Sequence, residues 1–263
     1  MPPETVRLRS LTHPPRPGTP LVGVSLILAL GLLSACGGGY HHYAGPLRPV
    51  EDQGPTMAVA DDGGVTYVQG RLEVRLRPLT DDELNRQFSA LSTSGPRSTN
   101  PYTFGDQEFY EGQETRQRFT VFSLGVKNYA FPKVRLDPTR IELAASNGRT
   151  YWSLRFKQLQ GYYRAYAIGY RGNEYSRFRA RQDLLLNTML PSESIFSGQE
   201  VGGFVVFPAL HPDVDRMKVI VHDVNLRFDY RNEPIESVDI VYEFVRDVGR
   251  LYTDGTVELT ARD

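Results

Sequence analysis

Cysteine is almost absent from this chain, because Cys36 is the single cysteine among 263 residues. One cysteine cannot form a disulfide within the chain, so the fold must be stabilised by packing alone. If the thiol of Cys36 carries a lipid, as argued below, a thiolate catalyst is excluded as well.

Long hydrophobic runs are also missing. The most apolar stretch, residues 21–33, has 13 residues, whereas a helix that spans a bilayer needs about 20. It follows three basic residues, Arg7, Arg9 and Arg16, and ends in small residues. Basic region, apolar region and small-residue cleavage site form the pattern of a secretory signal peptide. We therefore predict that residues 1–35 are a signal peptide.

The cysteine follows this apolar stretch directly. Residues 33–36 read Leu-Ser-Ala-Cys, which resembles the lipobox of bacterial lipoproteins, where cleavage occurs before a cysteine that already carries a diacylglycerol. A buried core thiol is the alternative, but the three glycines at 37–39 favour a tether over a core element. We predict a membrane anchor on Cys36. Gly37, in place of an Asp at the second position, favours the outer membrane and its periplasmic face.

No strong excess of either charge is present. The chain has 30 basic and 31 acidic residues, and removing residues 1–35 takes away three Arg and one Glu, which leaves 27 and 30 and a net charge of −3. This balance gives no indication of a polyanionic partner for the protein as a whole. Since an exported protein also has little access to nucleic acid, we predict no nucleic-acid partner.

Linear catalytic and metal-binding motifs are lacking. The sequence contains no Gly-x-Ser-x-Gly, no His-Glu-x-x-His and no phosphate-binding glycine loop. His41 and His42 are adjacent, which is not the spacing of a metal site. His222 and Asp223 are neighbours in a predicted strand and point to opposite faces, so they cannot orient one another as a catalytic pair. The sequence therefore predicts no metal and no cofactor.

Gly and Pro dominate the segment after the cysteine, and we predict a flexible tether over residues 36–64 and a single domain over residues 65–263. Residues 71–77 alternate apolar and charged side chains as a half-exposed strand does. Residues 80–83, Thr-Asp-Asp-Glu, form a capping box, and apolar residues follow at helical spacing. This predicts a short helix over about 80–91.

From Phe119 the pattern is typical of β-structure. Residues 119–126 are apolar on both faces, which predicts a buried strand. Asn147-Gly148 between two strand-like runs predicts a hairpin. Further strands are predicted at 202–207, 217–221, 224–230 and 235–245. Short strands separated by turns predict a mainly β fold, an antiparallel β-sandwich.

Several of these segments together resemble the Ig-like (telokin-like) accessory domains of bacterial envelope proteins. The resemblance rests on residues 126–128, 141–143, 147–151, 190–191 and 197–207, and covers roughly residues 115–245. It implies an Ig-like fold and a location in the envelope, and says little about chemistry. The chain departs from the pattern by an insertion of about 35 residues between Leu154 and Leu190.

This insertion is rich in basic and aromatic residues. Residues 155–181 contain seven Arg or Lys, seven Tyr or Phe and one acid, Glu174. Helical spacing of the tyrosines predicts a helical insertion over about 155–190. Two interpretations are open: the side chains form an interaction patch for an anionic surface or an envelope protein, or they only pack the insertion onto the sandwich. The candidate patch comprises Arg164, Tyr166, Tyr170, Arg171, Tyr175, Arg177, Arg179 and Arg181.

Two functional hypotheses follow. The first is a lipid-anchored envelope protein that acts as a non-enzymatic binding or structural module. The alternative is an envelope hydrolase whose residues converge only in three dimensions. Two carboxylates facing each other across a deep cleft would favour the hydrolase.

Overall fold

The chain is mainly β in the computed structural model, which describes residues 40–107, 117–169 and 174–261. The strands are β1 (Tyr40–Ala44), β2 (Arg48–Pro49), β3 (Met57–Val59), β4 (Val65–Gln69), β5 (Leu72–Leu79), β6 (Phe119–Asn128), β7 (Lys133–Arg135), β8 (Ile141–Ala145), β9 (Thr150–Trp152), β10 (Ser194–Phe196), β11 (Gln199–Pro208), β12 (Arg216–Phe228), β13 (Pro234–Val245), β14 (Val248–Tyr252) and β15 (Val257–Leu259). The helices are α1 (Asp81–Gln87), α2 (Ser89–Ser92), α3 (Phe156–Gly169) and α4 (Tyr175–Thr188), with a 3₁₀ turn at Gly95–Arg97. Cys36 and the predicted signal peptide lie outside the described residues.

The described residues form three antiparallel sheets, and the two larger ones pack face to face, which confirms the predicted β-sandwich. The first sheet has the strand order β11-β6-β5-β4-β3, and the second has β10-β7-β12-β13-β2 with β8 and β9 added through β12. The third is a small sheet of β1, β14 and β15. Alternate side chains of the long strands point into the space between the sheets, where they form the buried hydrophobic core. The ring centroids of Phe122 and Phe244 lie 5.4 Å apart across the interface. The hydroxyl of Tyr242 donates to the carbonyl of Val74 at 2.8 Å.

A second apolar cluster lies on the other face of the first sheet. There Phe119 and Val121 of β6 and Val206 of β11 pack against side chains of α1, α3 and α4. Strand β6 is therefore covered on both faces, as its continuous apolar pattern predicts. This cluster attaches the helices to the sandwich.

The predicted capping box is present at the start of α1. The amide of Glu83 donates to Thr80 Oγ1 at 3.2 Å, and the amide of Thr80 donates to Glu83 Oε2 at 2.9 Å. Leu84 is fully buried beneath the helix. The helical segment predicted over 80–91 is confirmed, although it is divided at Phe88 into α1 and α2.

Two details of the predicted strands are now settled. The hairpin between β8 and β9 is confirmed, and Gly148 has the positive φ, +81°, that its turn requires. The strands predicted at 217–221 and 224–230 are instead one strand, β12. Its pairing with β13 continues past an irregularity between Val221 and Val224, where Asp223 has a φ of +50°.

The flexible tether predicted for residues 36–64 is wrong from Tyr40 onward. Strand β1 pairs with β14, β2 pairs with the end of β13, and β3 pairs with β4. The glycines of this segment mark turns between short strands, and Gly54 and Gly63 have φ of +94° and +78°. The chain from Tyr40 onward belongs to one compact unit.

Candidate functional site

The insertion forms a hairpin of two helices, α3 and α4, which confirms the predicted helical excursion between β9 and β10. Helix α3 buries Leu159, Tyr163 and Ala167, spaced by four residues along one face. Helix α4 buries Phe178, Arg181 and Leu185. These faces pack against the first sheet, so the opposite faces are available to solvent.

The predicted interaction patch is only partly on the surface. Arg164, Tyr175 and Arg179 are exposed, and the guanidinium of Arg179 lies 4.8 Å from the centroid of the Tyr175 ring. Arg177 forms an ion pair with Glu174, which compensates its charge. Tyr170, Arg171 and the side chain of Tyr166 lie outside the described residues.

Arg181 does not belong to the surface patch, so this part of the prediction is wrong. Only 3% of the residue is exposed, its Nη2 donates to the carbonyl of Ser98 at 2.6 Å, and its guanidinium lies 5.2 Å from the Tyr163 ring centroid. Burial lowers the pKa of Arg181. The physical reason is helical position, since Arg181 lies between Phe178 and Leu185 on the inward face. For this arginine the packing interpretation holds.

A groove of about 570 Å³ runs between the two helices on the outer side of the hairpin. It contains Ile168, which is 68% exposed, and Tyr175, which is 54% exposed. Arg164 lines the same groove. Leu186, 62% exposed, lies one helical turn beyond Gln182 of the groove. We call this surface the hairpin groove. An exposed apolar patch is a signal of interaction, unlike a single exposed apolar residue. Ile168 and Leu186 are not part of the interaction patch that the sequence predicts.

The hairpin carries positive charge in and beside the groove, from Arg164 in its lining and from Arg179 next to Tyr175. The exposed basic residues of the described hairpin region are Arg155, Lys157, Arg164 and Arg179. Asp183 is an exposed acid of α4 and offsets one of these charges. The surface therefore combines apolar side chains with a positive net charge, which suits a partner that is both apolar and anionic.

A polar cluster on the second sheet surrounds His222. Its Nδ1 lies 3.1 Å from Asp239 Oδ2, and its Nε2 lies 2.9 Å from Glu142 Oε2. The Trp152 ring stacks on it with centroids 5.8 Å apart. Asp223 instead pairs with Arg140 at 2.5 Å. The prediction that His222 and Asp223 do not orient one another is therefore confirmed, and His222 is paired instead with two carboxylates from β8 and β13.

Partial burial lowers the pKa of His222, but the hydrogen bonds and charges of Glu142 and Asp239 outweigh it, so the pKa lies above its usual value. A histidine whose pKa is raised by folding stabilises the fold below its unfolded pKa, and this contribution disappears as the pH rises through the folded pKa. The pairing of His222 with Glu142 and Asp239 therefore raises the free energy of unfolding in mild acid.

We predict that His222→Gln lowers the free energy of unfolding at both pH 5.5 and pH 8.5. The loss should be larger at pH 5.5, by about 0.5 to 1 kcal/mol. Urea unfolding at the two pH values measures this difference. His41→Gln, at an exposed histidine of β1, is the control for the loss of an imidazole outside this cluster. An equal loss at both pH values would contradict the ion-pair assignment.

In the described part of the chain, no group of three or more His, Cys, Asp or Glu side chains is arranged to hold a metal ion. Over the same residues, no helix is long and apolar enough to cross a membrane.

Comparison with other proteins adds no assignment. No protein-family model matches the chain, and neither a curated protein nor a solved structure matches it.

Proposed function

We propose that this protein is a lipoprotein of the bacterial cell envelope, anchored through Cys36, that acts by binding rather than by catalysis. Its binding surface is the hairpin groove, and its partner is the anionic surface of a membrane. The observation that carries the proposal is the joint exposure of Ile168 and Tyr175 beside Arg164 and Arg179. Aliphatic and aromatic side chains with arginines are the combination that binds at a lipid interface.

The proposed anchor would keep the domain close to the membrane. Strand β1 begins at Tyr40, four residues after Cys36. Four extended residues span at most about 14 Å, so the domain has little freedom to leave the lipid surface. A short connection of this kind favours a membrane partner over a distant one.

Two neighbouring residues at the start of β6 link this strand to the hairpin and to the end of β1. The ring of Phe119, the first residue of β6, contacts the Tyr162 ring of α3 with centroids 5.5 Å apart. The next residue, Thr120, lines a cavity together with Ala44, the last residue of β1. The start of β6 therefore connects the hairpin with the segment that follows the proposed anchor, which supports a role at the membrane surface.

Vesicle binding tests the proposal. The lipid-free chain from Gly37 onward should bind vesicles containing phosphatidylglycerol and should not bind phosphatidylcholine vesicles. Each basic group near an anionic surface contributes about 1 kcal/mol, so Arg164→Gln with Arg179→Gln should weaken binding roughly thirtyfold at low salt. Added salt should weaken wild-type binding in the same direction. Co-sedimentation measures both effects.

The matched control removes two positive charges from a surface outside the hairpin. Arg227 and Arg231 are exposed on and after β12, and changing both to Gln should leave vesicle binding close to wild type. Arg181 is not used, because replacing it would leave the carbonyl of Ser98 without its donor and destabilise the hairpin. If wild-type protein ignores anionic vesicles, or if the Arg164/Arg179 variant binds as well as wild type, membrane binding by this groove is excluded.

A further inference from the structure

A cavity of about 390 Å³ lies at one open end of the sandwich, between the two sheets. Thr120 of β6 lines it from one sheet, on the same side of the strand as Phe122 and Leu124 of the core. Arg246, directly after β13, lines it from the other sheet. Leu47 and Leu210 contribute apolar wall. The cavity is distinct from the hairpin groove, which none of these residues lines.

Two polar atoms of the lining have no hydrogen-bond partner among the described residues. One is Oγ1 of Thr120, a residue that is only 2% exposed, and the other is Oδ1 of Asp81. Buried polar groups in native proteins are almost always paired, because an unpaired one loses its hydration without compensation. Two unpaired oxygens beside the same cavity therefore indicate a bound group that donates hydrogen bonds.

The charges of the lining indicate which group this is. Asp81 and Asp82 bring carboxylates to the cavity. The basic side chain, Arg246, is already engaged, since its Nε donates to the carbonyl of Val214 and its Nη2 to that of His211, both at 2.6 Å. The guanidinium that the cavity contains is thus directed to backbone carbonyls. Gln117 and the charge of Arg118 already act on the carboxylate of Asp81, but its Oδ1 and the Thr120 hydroxyl remain as acceptors. A ligand with several N–H donors and a positive charge fits this arrangement.

We propose that this cavity binds a small primary ammonium compound with a short apolar chain. The ammonium group donates to Asp81 and Thr120, and the chain lies against Leu47 and Leu210. The inference rests on the cavity alone and is independent of the membrane-binding proposal.

The ionisation of Asp81 makes the proposal testable by pH. Burial, reinforced by the carboxylate of Asp82, raises the pKa of Asp81 to about 7, although Arg118 and a hydrogen bond from Gln117 oppose the rise. An ammonium ligand binds the ionised carboxylate, whose fraction rises from about 0.1 at pH 6 to about 0.9 at pH 8. Apparent affinity scales with the competent fraction, so it should increase roughly tenfold over this range.

The experiment is a titration of the chain from Gly37 onward with butylamine, butanol and butyrate, followed by backbone-amide NMR. Saturable shifts near the cavity are expected with butylamine only, with tighter binding at pH 8 than at pH 6. Asp81→Asn should weaken binding roughly tenfold to a hundredfold, and Thr120→Val about fivefold. Asp183→Asn, at an exposed acid of α4, should bind as wild type does.

Any of three results would overturn the proposal. The first is the absence of saturable butylamine binding at pH 8, and the second is equal binding of butanol and butylamine, as expected for a cavity that holds only water. The third is equal affinity of wild type and Asp81→Asn for butylamine. The Thr120→Val variant, which conserves side-chain shape, keeps the test valid if Asp81→Asn alters the start of α1, and melting temperatures of all variants identify such a change.

Discussion

Gly203→Ala should destabilise the protein by about 3 kcal/mol or more, a large share of the stability of a domain of this kind. A methyl group at Gly203 would lie 2.5 Å from both the Cα and the backbone nitrogen of Leu190, and 2.7 Å from the carbonyl carbon of Met189. These are backbone atoms, so no side-chain rotation relieves the clash. The amide of Leu190 also donates to the carbonyl of Phe204 at 3.0 Å, and separation of the two segments would weaken this bond. Urea unfolding measures the loss.

Gly161→Ala is the matched control. Gly161 lies within α3, and a methyl group there meets nothing within 4 Å outside its own helix. Alanine should therefore stabilise the protein by about 0.5 to 1 kcal/mol, because it restricts the unfolded chain and favours the helix. If Gly203→Ala were as stable as wild type, the chain leaving α4 would not pack against β11 as described.

Local features of the fold could be predicted from the sequence because they depend on neighbouring residues. The capping box of Thr80 and Glu83 and the turn at Gly148 each need only a few consecutive side chains and a backbone preference. Apolar residues on both faces of β6 indicate in the sequence that this strand is buried. These are the features in which pattern and structure agree.

Strand pairing, by contrast, depends on residues far apart in the chain. Strand β1 pairs with β14, about 200 residues later, so its polar, histidine-rich sequence gives no sign of it. Strand β12 continues through Asp223, where a local irregularity resembles a turn in sequence. Gly and Pro indicate where the chain turns, and do not distinguish a tether from a series of short edge strands.

The same limit applies to the candidate sites. The basic and aromatic composition of the insertion is visible in the sequence, but whether an arginine faces the sheet depends on the orientation of its helix. Arg181 therefore proved buried, while Arg179, two residues earlier, is exposed. The partners of His222 come from β8 and β13, and the cavity around Asp81 and Thr120 is formed where separate segments meet. No short sequence pattern predicts these sites, because their residues are far apart in the chain.

Cys36→Ser should abolish lipid attachment, which is the largest effect expected for any substitution outside the folded domain. Only a thiol at this position can accept the diacylglycerol in the proposed lipobox, so labelled palmitate should fall to background and a precursor retaining its 35-residue signal should accumulate. Metabolic labelling and gel mobility in a bacterial host measure both. Ser34→Ala, which keeps a small residue in the box, should be labelled like wild type. Wild-type labelling of the Cys36→Ser variant would show that the anchor lies elsewhere, while the vesicle experiment would still test the hairpin groove by itself.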